Sequence, residues 1–196
     1  TKDFAGTAEA ALPAMVVSTT LSRSPTLLYF GQDVGEAATD NAGFGQATRT
    51  SIFDYIGVPA HQRWMNNGKF DGGQSTVQEK ALRQYYQNLL NLSHTAPALK
   101  GEYQELDSHQ REINVAGYND KVFAFARYTP AQKLIIVSNF SSQNSSQFSL
   151  NIPKDLIKIW TIEADTKLTN LLDTSTPSTD LLLQQDGSAA INIALQ

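Results

Sequence analysis

The sequence predicts an α+β chain whose first half is mainly helical and whose second half is an antiparallel β-sandwich of Greek-key type. Three observations carry that expectation. Leu82, Tyr85, Tyr86 and Leu89 recur at helical spacing behind Thr76 and Glu79, which fit a capping box. Beyond Gly101 the alternation has period two, and "KVFAFARYT" and "KLIIVSNFS" flank Pro130, Ala131 and Gln132 as the arms of a hairpin. Between the halves, around Pro97 to Gly101, the apolar segments change from helix-like to strand-like.

The elements follow in order. Pro13 suits the first turn of a helix, where its missing N–H costs nothing, so Ala14 to Leu21 is expected to be helical and Ser24-Pro25 to end it. Residues 26–30 are apolar on both faces, the mark of a buried parallel strand. Residues 31–73 form a long connection rich in Gly, Asn and aromatics, of the kind that carries function when ordered. The capped helix then runs from Thr76 towards Pro97, which stops it. In the second half, further strands are expected at Tyr103 to Leu106, Gln147 to Ile152, Ile157 to Ile162, Lys167 to Leu172, Asp180 to Leu183 and Ala189 to Ala194. Turn-rich stretches such as "SSQNSSQ" and "DTSTPSTD" separate them. The expected division is residues 1–100 and residues 101–196.

With 196 residues, 41% of them hydrophobic, the chain can bury a substantial core. A net charge of -4 argues against a nucleic-acid binder, which needs a basic face for phosphates. The absence of cysteine excludes disulfides, thiolate catalysis and cysteine-zinc sites. No apolar run is long enough to span a membrane. The opening "TKDFAGTAEA" is neither a signal peptide nor an initiator sequence, and the chain is expected to be a fragment or processed product.

Helix, buried strand with a polar C-terminal edge, long loop and second helix match one βα unit of a (β/α)8 barrel, in which strand ends and the loops after them build the active site. At this point the residues resemble a particular family. "SPTLLYFGQDVGE" resembles the eighth barrel strand of the alpha-amylase family of glycoside hydrolases. "RTSIFDY", Arg49 to Tyr55, is similar to that family's arginine-containing stretch after the strand, and "EKALRQYYQNLLNLSHTAPAL" to its last barrel helix. "VFAFARYTPAQKLIIVSNFS" resembles its C-terminal sandwich. "GVPAHQRWMNNGKFDGGQ" looks like an insertion found in some bacterial relatives.

The resemblance implies the terminal part of a (β/α)8 barrel, its last helix, strand, loop and helix, followed by the sandwich. It implies a parent enzyme that cleaves α-glucosidic bonds of starch-like glucans by the retaining mechanism. That enzyme is expected in the periplasm or outside the cell and meets an α-glucan or maltooligosaccharide as its partner; no cofactor or metal site is expected in this chain. The family's three catalytic carboxylates lie on the fourth, fifth and seventh strands. This chain begins after the seventh, so it holds none of them and is expected to be inactive alone. The missing N-terminal barrel segment becomes a further partner. A lone barrel strand with unpaired edges also makes self-association an expectation.

Among candidate site residues, Asp33 and Glu36 are the carboxylates of the polar corner. They are weighed as a catalytic pair against the plainer reading that Asp33 bonds turn amides and Glu36 is solvated. Arg49 carries a guanidinium fork suited to sugar hydroxyls or a carboxylate, with a surface salt bridge as the alternative. Tyr55 and Trp64 are the preferred stacking platforms for a sugar ring, while Phe44, Phe53 and Phe70 are expected to anchor the loop. Trp160, among Ile157, Ile159 and Ile162, is expected in packing. His61, His94 and His109 lack metal-ligand spacing. The other function class open to the sequence is a non-catalytic carbohydrate-binding or structural sandwich module.

Overall fold

The structure, a computed structural model, describes residues 6–37, 58–141, 143–173 and 175–195. It has two compact units, one of Thr1–Met15 and Pro25–Asn91, the other of Val16–Ser24 and Leu92–Gln196. Among the described residues, no helix is long and apolar enough to cross a membrane.

Helix α1, Leu12–Thr20, carries Pro13 in its first turn, as its lack of an N–H favours. In the first unit, helices α2, Pro59–Met65, and α3, Val77–Thr95, are joined by a tight turn. The capping box forms as the sequence predicts. The Glu79 N–H donates to Thr76 Oγ1 at 3.2 Å, and the Thr76 N–H donates to the Glu79 carboxylate at 2.9 Å. Two of the orphan donors at the start of α3 are thereby satisfied. Leu82, Tyr86 and Leu89 lie on one face of α3 and are buried, and they give this unit its core together with Val34 and Ala60.

The strand expected at residues 26–30 is not formed. These residues have no partner strand among the described residues of their unit, and Leu27 and Tyr29 are 85% and 54% exposed. The Tyr29 N–H donates instead to Gln32 Oε1, at 3.1 Å. A run apolar on both faces becomes a buried parallel strand only where neighbouring strands supply its ladder, and the described residues supply none.

The second unit is an antiparallel sandwich. One sheet has the order β1, Glu102–Glu105; β2, Val122–Tyr128; β3, Lys133–Asn139. The β2–β3 hairpin pairs Tyr128 with Lys133 and Val122 with Asn139, around the predicted Pro130–Gln132 connection. The other sheet contains β4, Ser146–Ile152; β5, Lys167–Leu168; β6, Thr179–Leu183; and β7, Ala189–Leu195. Its order is β4-β7-β6-β5. Three consecutive strands with a fourth returning beside the far one is the Greek-key arrangement.

Alternation decides what is buried. Along β4, Ser146, Phe148, Leu150 and Ile152 are buried while Gln147 and Ser149 are exposed. The core joins Val122, Ala124 and Ala126 of β2 to Phe148, Leu150 and Ile152 of β4 and to Leu181 and Ile191. Two short helices close it: α4, Asp107–Glu112, and α5, Lys154–Trp160, which contributes Leu156, Ile157 and Trp160.

Helix α5 corrects the strand expected at Ile157 to Ile162. Its isoleucines favour a strand by propensity, but Leu156, Ile157 and Trp160 share a helical face, and Pro153 with Asp155 opens a helix. The strand expected over Lys167 to Leu172 ends at Leu168. Asn170 Oδ1 accepts the N–H groups of Leu172 and Asp173 at 3.0 and 3.1 Å, a local turn that takes the donors a ladder would need.

Two buried polar side chains hold the sandwich. Gln110 of α4 is fully buried and meets the outer edge of β4. Its amide accepts the Asn151 N–H at 2.8 Å and donates to the Asn151 carbonyl at 2.8 Å, as another strand would, so that edge is covered at this position. Arg127 on β2 is 2% exposed. Its guanidinium donates to the carbonyls of Thr20 and Leu21 at the end of α1, of Leu99 and Gly101 beyond α3, and of Glu102 on β1, at 2.7–3.3 Å. All five acceptors are main-chain oxygens, several of them the orphan carbonyls that a helical end leaves at its negative pole.

Candidate functional site

The polar corner at Gly31–Glu36 belongs to the first unit. Gly31 and Gly35 both take left-handed backbone, with φ of 74° and 70°, and bracket a 3-10 turn over Gln32–Val34. Such angles are open to glycine at no steric cost, which is why the apolar run can reverse so sharply here. Val34 is buried and pins the turn. Gln32 donates to the Tyr86 hydroxyl of α3 at 3.0 Å, so the corner is tied to the capped helix.

The two corner carboxylates are committed to different partners. Asp33 forms a salt bridge with Arg83 of α3. Glu36 accepts the N–H groups of Ala60 and His61, at 2.8 and 3.1 Å, at the start of α2. A carboxylate there satisfies donors the helix cannot use and meets the positive end of its dipole. Neither arrangement is the one weighed from sequence: Asp33 is ion-paired rather than bound to turn amides, and Glu36 serves as a cap.

Arg83 is the centre of the cluster. Its guanidinium carbon stands 4.1 Å from the Trp64 ring centroid, a cation–π contact, while its nitrogens engage Asp33. Trp64 is edged by Phe70 at 5.9 Å and by His61 at 5.8 Å, and His61 also meets Phe30 at 4.4 Å. The result is a row of rings from Phe30 to Phe70, with the Arg83 guanidinium over the ring of Trp64. Arg49 and Tyr55 lie outside the described residues, as do Phe44 and Phe53. Trp64 and Asp33 are brought to one place, linked through Arg83. Sequence reading missed that link because Arg83 appears only as one more polar residue on the outer face of α3. No local signal marks its meeting with Asp33.

A second ion pair braces α2 against α3. Arg63 Nε donates to both Glu79 carboxylate oxygens at 3.1 Å, and its Nη2 also engages Oε1. The Arg63 hydrogen bonds and the Thr76 N–H outweigh burial and hold the Glu79 carboxyl below its ordinary range. A carboxyl depressed on folding adds stability above its unfolded pKa, and that stability is lost as pH falls through the folded value. In an acid titration of the chain, Glu79→Gln is expected to be less stable than wild type near neutrality and to converge with it at low pH. A stability difference independent of pH would contradict this.

No protein-family profile matches the sequence, and no curated protein matches it. Among solved structures, the chain is similar to a variant of AmyP whose crystal structure is a complex with maltotriose. The TM-score is 0.52 at 17% identity, over 92% of this chain. The match spans 32% of the AmyP chain, so this polypeptide corresponds to about a third of it. At that identity the likeness is one of fold: mixed helix and antiparallel sheet, shared over nearly the whole of this chain.

Proposed function

We propose that this chain is the C-terminal portion of an alpha-amylase-type glycoside hydrolase that cleaves α-glucosidic bonds of starch-like glucans with retention. One observation carries the reading: nearly the whole chain shares its fold with a third of AmyP, a protein crystallised with maltotriose. The motif order in "SPTLLYFGQDVGE", "EKALRQYYQNLLNLSHTAPAL" and "VFAFARYTPAQKLIIVSNFS" supports it independently.

On this reading residues 1–100 supply the last helix, strand, loop and helix of a (β/α)8 barrel, and residues 101–196 its sandwich. Pro25 to Phe30 then gains its ladder from neighbouring barrel strands, which accounts for apolar residues as exposed as Leu27. Retaining hydrolysis needs two carboxyls held about 5–5.5 Å apart, one a nucleophile and one an acid/base, and the missing barrel segment supplies them. This chain contributes a substrate-facing rim through Arg49, Tyr55, Trp64 and Asp33. The last two work through Arg83, which fixes the tilt of the indole and is itself oriented by the carboxylate. The purified chain is expected to release no reducing sugar from starch or maltooligosaccharides above a buffer blank. Release proportional to its concentration, and lost on denaturation, would overturn its assignment as a non-catalytic portion.

A further inference from the structure

The turn between α2 and α3 is built at steric cost around one exposed ring. Asn66, Asn67, Gly68, Phe70 and Gly72 all have positive φ, at 45°, 55°, 84°, 55° and 67°. For glycine and asparagine that is ordinary, but for a phenylalanine it is an outlier. The turn is nonetheless closely fixed. The Phe70 N–H donates to the Met65 carbonyl at 2.9 Å and the Gly72 N–H to the Trp64 carbonyl at 3.0 Å. Asp71 Oδ1 accepts from Asn66 Nδ2 at 2.7 Å and from the Gly73 N–H at 2.9 Å. What this framework presents is the phenyl ring of Phe70, in a residue 57% exposed.

Behind that ring stands a prop. Phe70 meets the Trp64 ring at a steep angle, 62° between planes, and Trp64 is clamped in turn by Arg83, which Asp33 holds. A ring whose task was to bury itself would not need left-handed backbone and would not remain mostly in water. Strained backbone that the surroundings over-determine is a reason to look for a ligand at the side chain it projects. The chemistry beside it is mixed. Its neighbours in the turn, Asn67, Lys69 and Asp71, are exposed residues with amide, ammonium and carboxylate groups. An exposed apolar ring in a turn of polar residues fits a pyranose, which offers a C–H face to a ring and hydroxyls to polar groups.

We infer that Phe70 is a stacking platform for a glucose unit of an α-glucan chain, with Trp64 and Arg83 as its positioning residues. The inference rests on the proposed glucan-acting parent for the choice of sugar, and it replaces the loop-anchoring role expected of Phe70 from its place in the long connection.

Affinity electrophoresis of the 196-residue chain in gels with and without soluble amylopectin tests it, with thermal melting measured alongside. Wild type is expected to be retarded by amylopectin. Phe70→Gly is expected to weaken retention about tenfold or more while leaving the melting temperature unchanged or raised, because glycine relieves the positive φ. Phe70→Asn, which also tolerates that backbone, serves where the glycine variant misfolds and is expected to lose retention likewise. Phe70→Trp is expected to keep it. Undiminished retention in folded Phe70→Gly or Phe70→Asn overturns the platform and leaves the proposed parent enzyme standing. So does a lowered melting temperature with retention intact, the signature of a loop anchor. A wild-type chain unretarded by amylopectin also overturns the platform, whereas the parent enzyme is decided separately, by hydrolysis assays on the polypeptide its gene encodes.

Discussion

Arg127→Met is expected to destabilise the second unit by about 3–5 kcal/mol, measured as the unfolding free energy in urea. Two effects compete. Removing a buried guanidinium relieves its desolvation, the cause that pushes its pKa below the ordinary value. Against that stand five main-chain carbonyls, those of Thr20, Leu21, Leu99, Gly101 and Glu102, that lose a charged donor at once. Each charge-assisted bond contributes about 1.5–3 kcal/mol, and buried acceptors left without partners add their own desolvation cost, so the loss of bonds wins. Arg127→Lys is expected to fall between the two, because an ammonium keeps the charge but offers three donors where the fork offers five. The contact is also what joins residues 16–24 to the strands of this unit, with Arg23 adding a bond to the Gly101 carbonyl at 3.2 Å. A methionine variant within about 0.5 kcal/mol of wild type would show that the carbonyls are satisfied without Arg127.

Gly117→Ala is the second substitution with a large expected effect, a loss of roughly 2–4 kcal/mol. Gly117 has φ of 84°, and a Cβ there would lie 2.2 Å from the Gln147 carbonyl oxygen of β4. The obstacle is backbone, so no side-chain rotation relieves it. Moving the loop away would also draw Tyr118 from its edge contact with Phe148, at 5.2 Å, and from Asp107, to which its hydroxyl donates at 2.7 Å. Thermal unfolding of the alanine variant reads the cost directly. An unchanged melting temperature would mean that the loop shifts freely and that Tyr118 is not fixed by it.

Legibility in the sequence followed the range of the forces involved. The capping box at Thr76 and Glu79, the amphipathic face of α3 and the β2–β3 hairpin are local, and residues within a few positions encode them. Where the answer depended on distant partners, the reading failed in physically intelligible ways. Residues 26–30 look like a buried strand because their composition suits one, yet a strand is a relation between stretches of backbone, and the described residues offer no partner. At α5, β-branched isoleucines outvoted a helical face that burial of Leu156, Ile157 and Trp160 enforces. Arg127 stands in the sequence only as one residue of the hairpin arm "KVFAFARYT". That it closes two helical ends follows from topology. The candidate site divides the same way: Asp33 and Trp64 could be picked out singly, whereas the Arg83 bridge between them, the cap made by Glu36 and the exposure of Phe70 arise from tertiary placement.

This polypeptide is proposed to carry the rim and sandwich of an α-glucan hydrolase whose chemical centre lies in a separate barrel segment. The most direct measurement compares hydrolysis of a maltooligosaccharide by this chain with hydrolysis by the polypeptide its gene encodes, following the anomeric configuration of the new reducing end by NMR. No turnover is expected from the chain alone, and α-configured products from the longer polypeptide, lost when a strand-end carboxylate upstream of Thr1 is replaced by its amide. Turnover by this chain alone, inverted products, or a longer polypeptide with no upstream carboxylates and no activity on α-glucans would contradict it.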